Sequence, residues 1–185
     1  MEGSRREKIR PGSFVYYPPY QYHTIRNPGT SPVTFLTFKW RADPSGTRRP
    51  LATSIFHYGD LAPIRQKPIW SGRIFRDPTA YLGTLSSHVT VLQPGTGYEP
   101  HVDPYDVAIL LLSGTVETLK KTISAPTVIY YRAGELHGMR NVGREPSRDL
   151  VFEFHPSEKR TSKIDASIVK KRACMLVGLG QLNGL

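Results

Sequence analysis

Shifted by 114 residues, the chain meets itself. Tyr16-Tyr17 falls on Tyr130-Tyr131, His23 on His137, and Arg26-Asn27 on Arg140-Asn141. Gly29 then meets Gly143, Pro32 meets Pro146, Leu36 meets Leu150 and Phe38 meets Phe152. Identities at turn and strand positions alike, all at one offset, indicate a duplicated unit rather than shared composition. Met1 corresponds to position 115, just past Gly114, so the chain reads as one and a half copies of that unit.

The unit is a β structure. In the complete copy, an apolar run from Val107 to Leu112 and an apolar-aromatic run from Thr127 to Tyr131 flank turns at Ser113-Gly114 and Lys120-Lys121. Ser86 to Leu92 alternates polar with apolar residues, the mark of a half-buried strand. Upstream, Ser13 to Tyr17, Val33 to Trp40, Ser54 to Tyr58 and Gly72 to Phe75 are β-like pieces broken by prolines. The 16 glycines and 16 prolines in 185 residues suit such a turn-rich fold. We expect a partial unit over residues 1–45, a complete barrel over 46–156 with its linker and leading strands, and a basic tail over 157–185. Within that last segment, Ala166 to Met175 has the pattern of a short helix.

The net charge of +10 points to an anionic partner only until it is located. Residues 50–156 carry 10 basic and 10 acidic side chains, and the excess lies at the two ends. No basic face with interleaved aromatics and no recognition helix is visible, so nucleic acid is not an expected partner. Without an apolar run of membrane length or an apolar leader, neither a membrane nor secretion is expected, and the cytoplasm is the default compartment. The single Cys174 forms no internal disulfide.

The residues with chemistry to offer sit at the edges of the two apolar runs. These are Gly95-x5-His101-x-Asp103 on one side and Gly134-x2-His137-x3-Asn141 on the other. The N-terminal copy has Gly12-x5-Pro18-x4-His23-x3-Asn27. Together these spacings resemble the two motifs of the cupin superfamily, G-x5-H-x-H-x3-E-x6-G and G-x5-P-x-G-x2-H-x3-N. The resemblance covers residues 85–155 fully and 1–41 in part, as in a bicupin lacking its first strands. It implies an all-β, jelly-roll-like double-stranded β-helix plus a partial second unit, often with a divalent metal held by three histidines and a glutamate.

Two ligand positions depart from that pattern: Asp103 stands where the family has its second histidine, and Val107 where it has the glutamate. Carried over residue by residue, His101, Asp103 and His137 form a two-histidine, one-carboxylate set. Such a set suits iron or manganese, with zinc as a further option. Asp106 joins only if a bulge shifts the strand by one residue, since that flips its facing. Tyr98, Glu99, Tyr105 and Met139 are candidate pocket residues, and Glu99, Glu135 and Tyr105 are the nearest candidate bases. His23, His57, His88 and His155 read as structural, Arg140 as one half of an ion pair, and Asn141 as a turn brace. Two functions stay open. One is a metal-dependent enzyme on a small oxygen-rich molecule, isomerase-like toward a sugar or uronate, or oxygenase-like. The other is a non-catalytic small-molecule or carbohydrate-binding module. A half-barrel cannot cover its own sheet, so residues 1–45 should pack on the barrel, on a second chain, or both, and a homodimer is expected.

Overall fold

The computed structural model describes residues 6–41, 44–61, 67–157 and 174–182. Among these the regular structure is strand, apart from one turn of 3-10 helix at Tyr58–Asp60. No helix among them is long and apolar enough to cross a membrane. Thirteen strands run in chain order: β1 (Ser13–Tyr16), β2 (Val33–Arg41), β3 (Ser54–His57), β4 (Ile69–Asp77), β5 (Thr84–Leu92), β6 (Gly97–His101), β7 (Asp106–Ser113), β8 (Thr115–Thr118), β9 (Lys121–Ser124), β10 (Thr127–Tyr131), β11 (His137–Asn141), β12 (Ser147–His155) and β13 (Cys174–Leu182).

Two antiparallel sheets form the barrel, ordered β10-β7-β12-β5-β4 and β6-β11-β8-β9. The inner core lies between them. Leu92, Val107, Ile109, Leu111, Ile129 and Val151 from the larger sheet meet Val116 and Met139 from the smaller. Every second residue of β7 from Val107 to Leu111 faces this core, as the strand period of two requires. The β8–β9 hairpin turns at Leu119 and Lys120, both at positive φ (49° and 60°), one residue earlier than the sequence suggested.

The other face of the five-stranded sheet is apolar too, and the partial copy covers it. Leu85, Val89, Ala108, Leu150, Phe152 and Phe154 pack there with Tyr16, Phe14, Phe38, Trp40 and Phe56. The aromatic contacts are close: Phe14 to Phe152 at 4.9 Å, Phe38 to Phe152 at 5.1 Å and Phe56 to Phe75 at 4.5 Å between ring centroids. The half-copy therefore finds its cover within the chain.

Two segments differ from the sequence expectation. Ser54–His57 pairs with β1 rather than with a barrel strand. Cys174–Leu182 is a strand along the whole of β2, from Cys174 opposite Arg41 to Leu182 opposite Val33, rather than a tail. A nine-residue β2 leaves a row of backbone donors and acceptors to be paired, and β13 supplies their partners. The helix expected from Ala166 lies outside the described residues as far as 173, and Cys174 and Met175 belong to β13.

The duplication holds at the level of atoms. Asn141 donates to the Glu145 carbonyl and accepts from Gly143 N–H, while Asn27 donates to the Ser31 carbonyl and accepts from Gly29 N–H. Tyr131 stacks on His137 at 4.0 Å and Tyr17 on His23 at 3.8 Å. Gly134 sits at φ 80°, and its counterpart Tyr20 at φ 62°. Left-handed backbone costs a non-glycine residue ~1–2 kcal/mol, and the Tyr20 side chain is 99% exposed, with little packing to offset it. Tyr20→Gly should therefore stabilise the protein by about 0.5–1 kcal/mol after the added freedom of the unfolded chain is subtracted. The midpoint of denaturant unfolding checks this; an unchanged or lower midpoint contradicts the strain.

Candidate metal centre

The antiparallel register of β6 and β11 sets His137 directly opposite His101. His101 ends its strand and His137 begins its own, so both rings stand at one mouth of the barrel. Their centroids are 4.6 Å apart. Asp103 follows β6 in a short loop held by the bond from Gly134 N–H to the Asp103 carbonyl. Its Oδ2 lies 3.6 Å from His101 Nε2 and 3.5 Å from His137 Nε2. One ligand atom from each residue falls within 4.8 Å of the other two.

The tautomers follow from the backbone. His101 Nδ1 lies 3.0 Å from the Glu99 carbonyl and His137 Nδ1 lies 2.8 Å from the Glu135 carbonyl. A carbonyl only accepts, so each Nδ1 carries a proton and each Nε2 is turned toward Asp103, where it presents a lone pair whenever the ring is neutral. Two imidazole lone pairs and a carboxylate oxygen then face one another, an arrangement short of one positive charge. A proton shared within the set or a cation at its centre meets that need. The donor set fits a divalent metal: mixed nitrogen and oxygen ligands, with ring orientation fixed by bonds from the far nitrogens.

The surroundings are unequal. His137 is buried, with 3% of its side chain exposed, and Tyr131 stacks on it. His101 is 47% exposed and meets the edge of Tyr98 at 5.5 Å. Solvent therefore approaches from the His101 side. Beneath both rings runs a hydroxyl chain. Thr118 donates to the Gly138 carbonyl at 2.7 Å, so it accepts from Tyr131 at 2.6 Å. Burial is the first cause that raises the pKa of both Tyr98 and Tyr131, so neither phenol ionises near neutral pH. Burial, and then the charges of Glu153 and Asp103, push Tyr105 up to about 12.

Several sequence candidates take other places. Asp106 Oδ1 accepts from Ala133 N–H at 2.8 Å, which makes it a loop brace outside the cluster. Glu99 is exposed, and what reaches the centre is its carbonyl, through His101. Glu135 likewise contributes its carbonyl, and its carboxylate accepts from Arg132 N–H. Met139 is core, 2% exposed. Arg140 donates from Nε to the Gly95 carbonyl at 3.1 Å, a hydrogen bond where an ion pair was expected. His23 is exposed and stacks on Tyr17, a structural place.

Two acidic residues of β12, Asp149 and Glu153, were passed over in the sequence, and His88 and His155 were read there as structural. Asp149 is 1% exposed, and its Oδ1 has no hydrogen-bond partner among the described residues. Burial pushes its carboxyl up to about 7, with a Thr90 hydrogen bond opposing. His88 and His155 both turn to Glu153, at 3.8 Å and 3.2 Å. The signal was strand alternation. Asp149, Val151, Glu153 and His155 are every second residue of β12, and His88 and Thr90 lie on the matching face of β5.

No protein-family model matches the chain, and no curated protein matches it. Among solved structures, a cupin domain from Schizosaccharomyces pombe is 14% identical over 63% of this chain and 89% of its own, with a TM-score of 0.47. An oxalate decarboxylase from Lactobacillus farciminis, in complex with formate, is 21% identical over 55% of this chain and 33% of its own, with a TM-score of 0.44. The cupin domain of an XRE-family transcriptional regulator from Enterobacter cloacae is 16% identical over 49% of this chain and 99% of its own, with a TM-score of 0.40. The chain's own strand order, with β10-β7-β12-β5-β4 facing β6-β11-β8-β9, is that of a double-stranded β-helix.

Proposed function

We propose that His101 Nε2, His137 Nε2 and the Asp103 carboxylate hold one divalent cation, iron, manganese or zinc, and that the protein binds or acts on a small oxygen-rich molecule there. The chemistry in view is isomerase-like toward a sugar or uronate, or oxygenase-like. The observation that carries the reading is the pair of Nδ1 bonds to the Glu99 and Glu135 carbonyls, which aim both Nε2 lone pairs at one carboxylate. When bound, the cation supplies a Lewis-acid position for a substrate oxygen. Tyr131 fixes the buried ring of His137, the Gly134 N–H bond holds the Asp103 loop, and the exposed side of His101 leaves a path for the substrate.

A non-catalytic binding module without metal is the second reading, and Val107 favours it. This side chain, 4% exposed in the inner core, fills with carbon the position where the cupin motif has a carboxylate. Metal analysis of the purified protein separates the two. The first reading expects close to one equivalent, lost at least tenfold in affinity in His101→Ala and in His137→Ala with the fold intact, since each removes one of three ligands. A folded, metal-free protein that takes up none on titration supports the second. A homodimer belongs to the same proposal. Its interface must lie elsewhere than the outer face of the five-stranded sheet, which β1 and β2 cover within the chain.

A further inference from the structure

We propose that His155, oriented by Glu153, is the acid–base residue for the compound bound at the His101–Asp103–His137 centre; the inference rests on that centre holding a metal. Glu153 and His155 are two residues apart on the inward face of β12. His155 Nε2 lies 3.2 Å from Glu153 Oε2. A carboxylate only accepts, so Nε2 carries the proton and Nδ1 of the neutral ring is left as a base. A carboxylate that fixes the tautomer and angle of an imidazole is the arrangement by which such a ring becomes a directed proton acceptor. His88 Nδ1, 3.8 Å from Glu153 Oε1, flanks the carboxylate on its other side.

Tyr105 joins this pair to the centre. Its ring lies 3.8 Å from that of His155, and it follows Asp103 by two residues in the same loop. The space beside them is a cavity of about 440 Å³ lined by Gly83, Thr84, Pro104, Tyr105, His155 and Pro156. That is the size range of small-molecule sites. The other acidic candidates are committed elsewhere, Glu99 to solvent and Glu135 to the Arg132 N–H.

A Lewis-acid position next to the Tyr105 loop and an imidazole base beside the Tyr105 ring suit a small hydroxy-carbonyl compound. Its carbonyl oxygen lies toward the centre and its adjacent C–H toward His155. His155 Nδ1 takes that proton, the C–H electron pair becomes the C=C bond of an enediolate, and the carbonyl π pair moves onto oxygen. The hydroxyl proton passes to the former carbonyl oxygen, the hydroxyl-bearing carbon becomes the new carbonyl, and the C=C pair takes the proton back from His155 at the neighbouring carbon, so the step consumes no oxidant or reductant. Glu153 is a positioning residue in this scheme.

The test uses glycolohydroxamate, a chelating mimic of an enediolate, titrated into the full chain loaded with one equivalent of zinc. Calorimetry reads its affinity, and the ring nitrogen signals of His155 are followed by NMR. The expected result is that the probe moves the His155 signals and binds at least tenfold more weakly to His155→Gln, while zinc affinity stays within twofold. Glu153→Gln should remove the fixed Nε2–H signature of His155 and weaken the probe several-fold. A probe that fails to bind the zinc-loaded protein, leaves His155 unmoved, or binds His155→Gln within twofold of the unaltered protein overturns the proposal. Failure of the centre itself appears separately and earlier, as absent zinc uptake before any probe is added.

Discussion

Replacing Asp149 by asparagine will leave the protein less stable below about pH 5 and more stable above about pH 7. The carboxyl is 1% exposed, and burial raises it from an ordinary 3.8 to about 7. Below the ordinary value both folded and unfolded chains hold the proton, and the group contributes no pH dependence. Between the two values the unfolded chain releases its proton while the folded one keeps it, so stability falls as pH rises, by ~1.4 kcal/mol per pH unit. Above about 7 the full cost is present, on the order of 4 kcal/mol. Asparagine cannot ionise, but its amide leaves a donor or acceptor unmatched where Asp149 Oδ1 already has no partner, a cost of ~1–3 kcal/mol at every pH. The two stability curves must therefore cross. His88, whose pKa burial lowers, adds a loss of stability toward acid pH that both proteins share and that cancels in their difference. Chemical denaturation at pH 4.5 and pH 8 reads the result, and parallel curves contradict the assignment of a buried neutral carboxyl.

Gly97→Ala will damage fold and centre together. A Cβ at Gly97 would meet the Met139 carbonyl oxygen, with Arg140 Cα only 2.6 Å away. These are backbone atoms of the partner strand, since Gly97 pairs with Arg140, and no side chain can rotate aside. β6 has to lift from β11, and β6 carries His101. The expected cost is about 3 kcal/mol or more, with metal affinity reduced at least tenfold because one ligand leaves its position. Gly95→Ala is the contrast. Its Cβ would meet nothing within 4 Å, and only its φ of 75° is strained. A cost of ~1–2 kcal/mol with metal affinity unchanged is expected there. Equal metal affinities in the two variants would show that β6–β11 pairing does not position His101.

The grouping of His101, Asp103 and His137 was legible in the sequence because these residues sit at motif spacings beside turns, and a turn-to-strand junction is where a polar side chain can face inward without breaking the core. The duplication was legible for a similar reason: Asn27 and Asn141 brace the same turn, and Tyr17 and Tyr131 stack on equivalent histidines. The Asp149, Glu153 and His155 series was not. β12 is buried on both faces, so Leu150, Phe152 and Phe154 lie between the polar residues and erase the alternation that would flag them. What buries the second face is the partial copy, more than a hundred residues earlier in the chain, and no local pattern announces that contact. β13 was missed because its glycines argue for a loop when read alone; β2, far off in sequence, is what makes it a strand.

The central claim is that three hydrogen-bond acceptors at the barrel mouth are arranged for one cation. X-ray absorption at the zinc edge, on protein loaded with a single equivalent, addresses it directly. Two imidazole nitrogens at ~2.0–2.1 Å with oxygen completing the shell, and one imidazole fewer in either His101→Ala or His137→Ala, is the predicted result. A shell without imidazole, or one that neither substitution alters, would place the metal elsewhere and leave Asp103 to a shared proton.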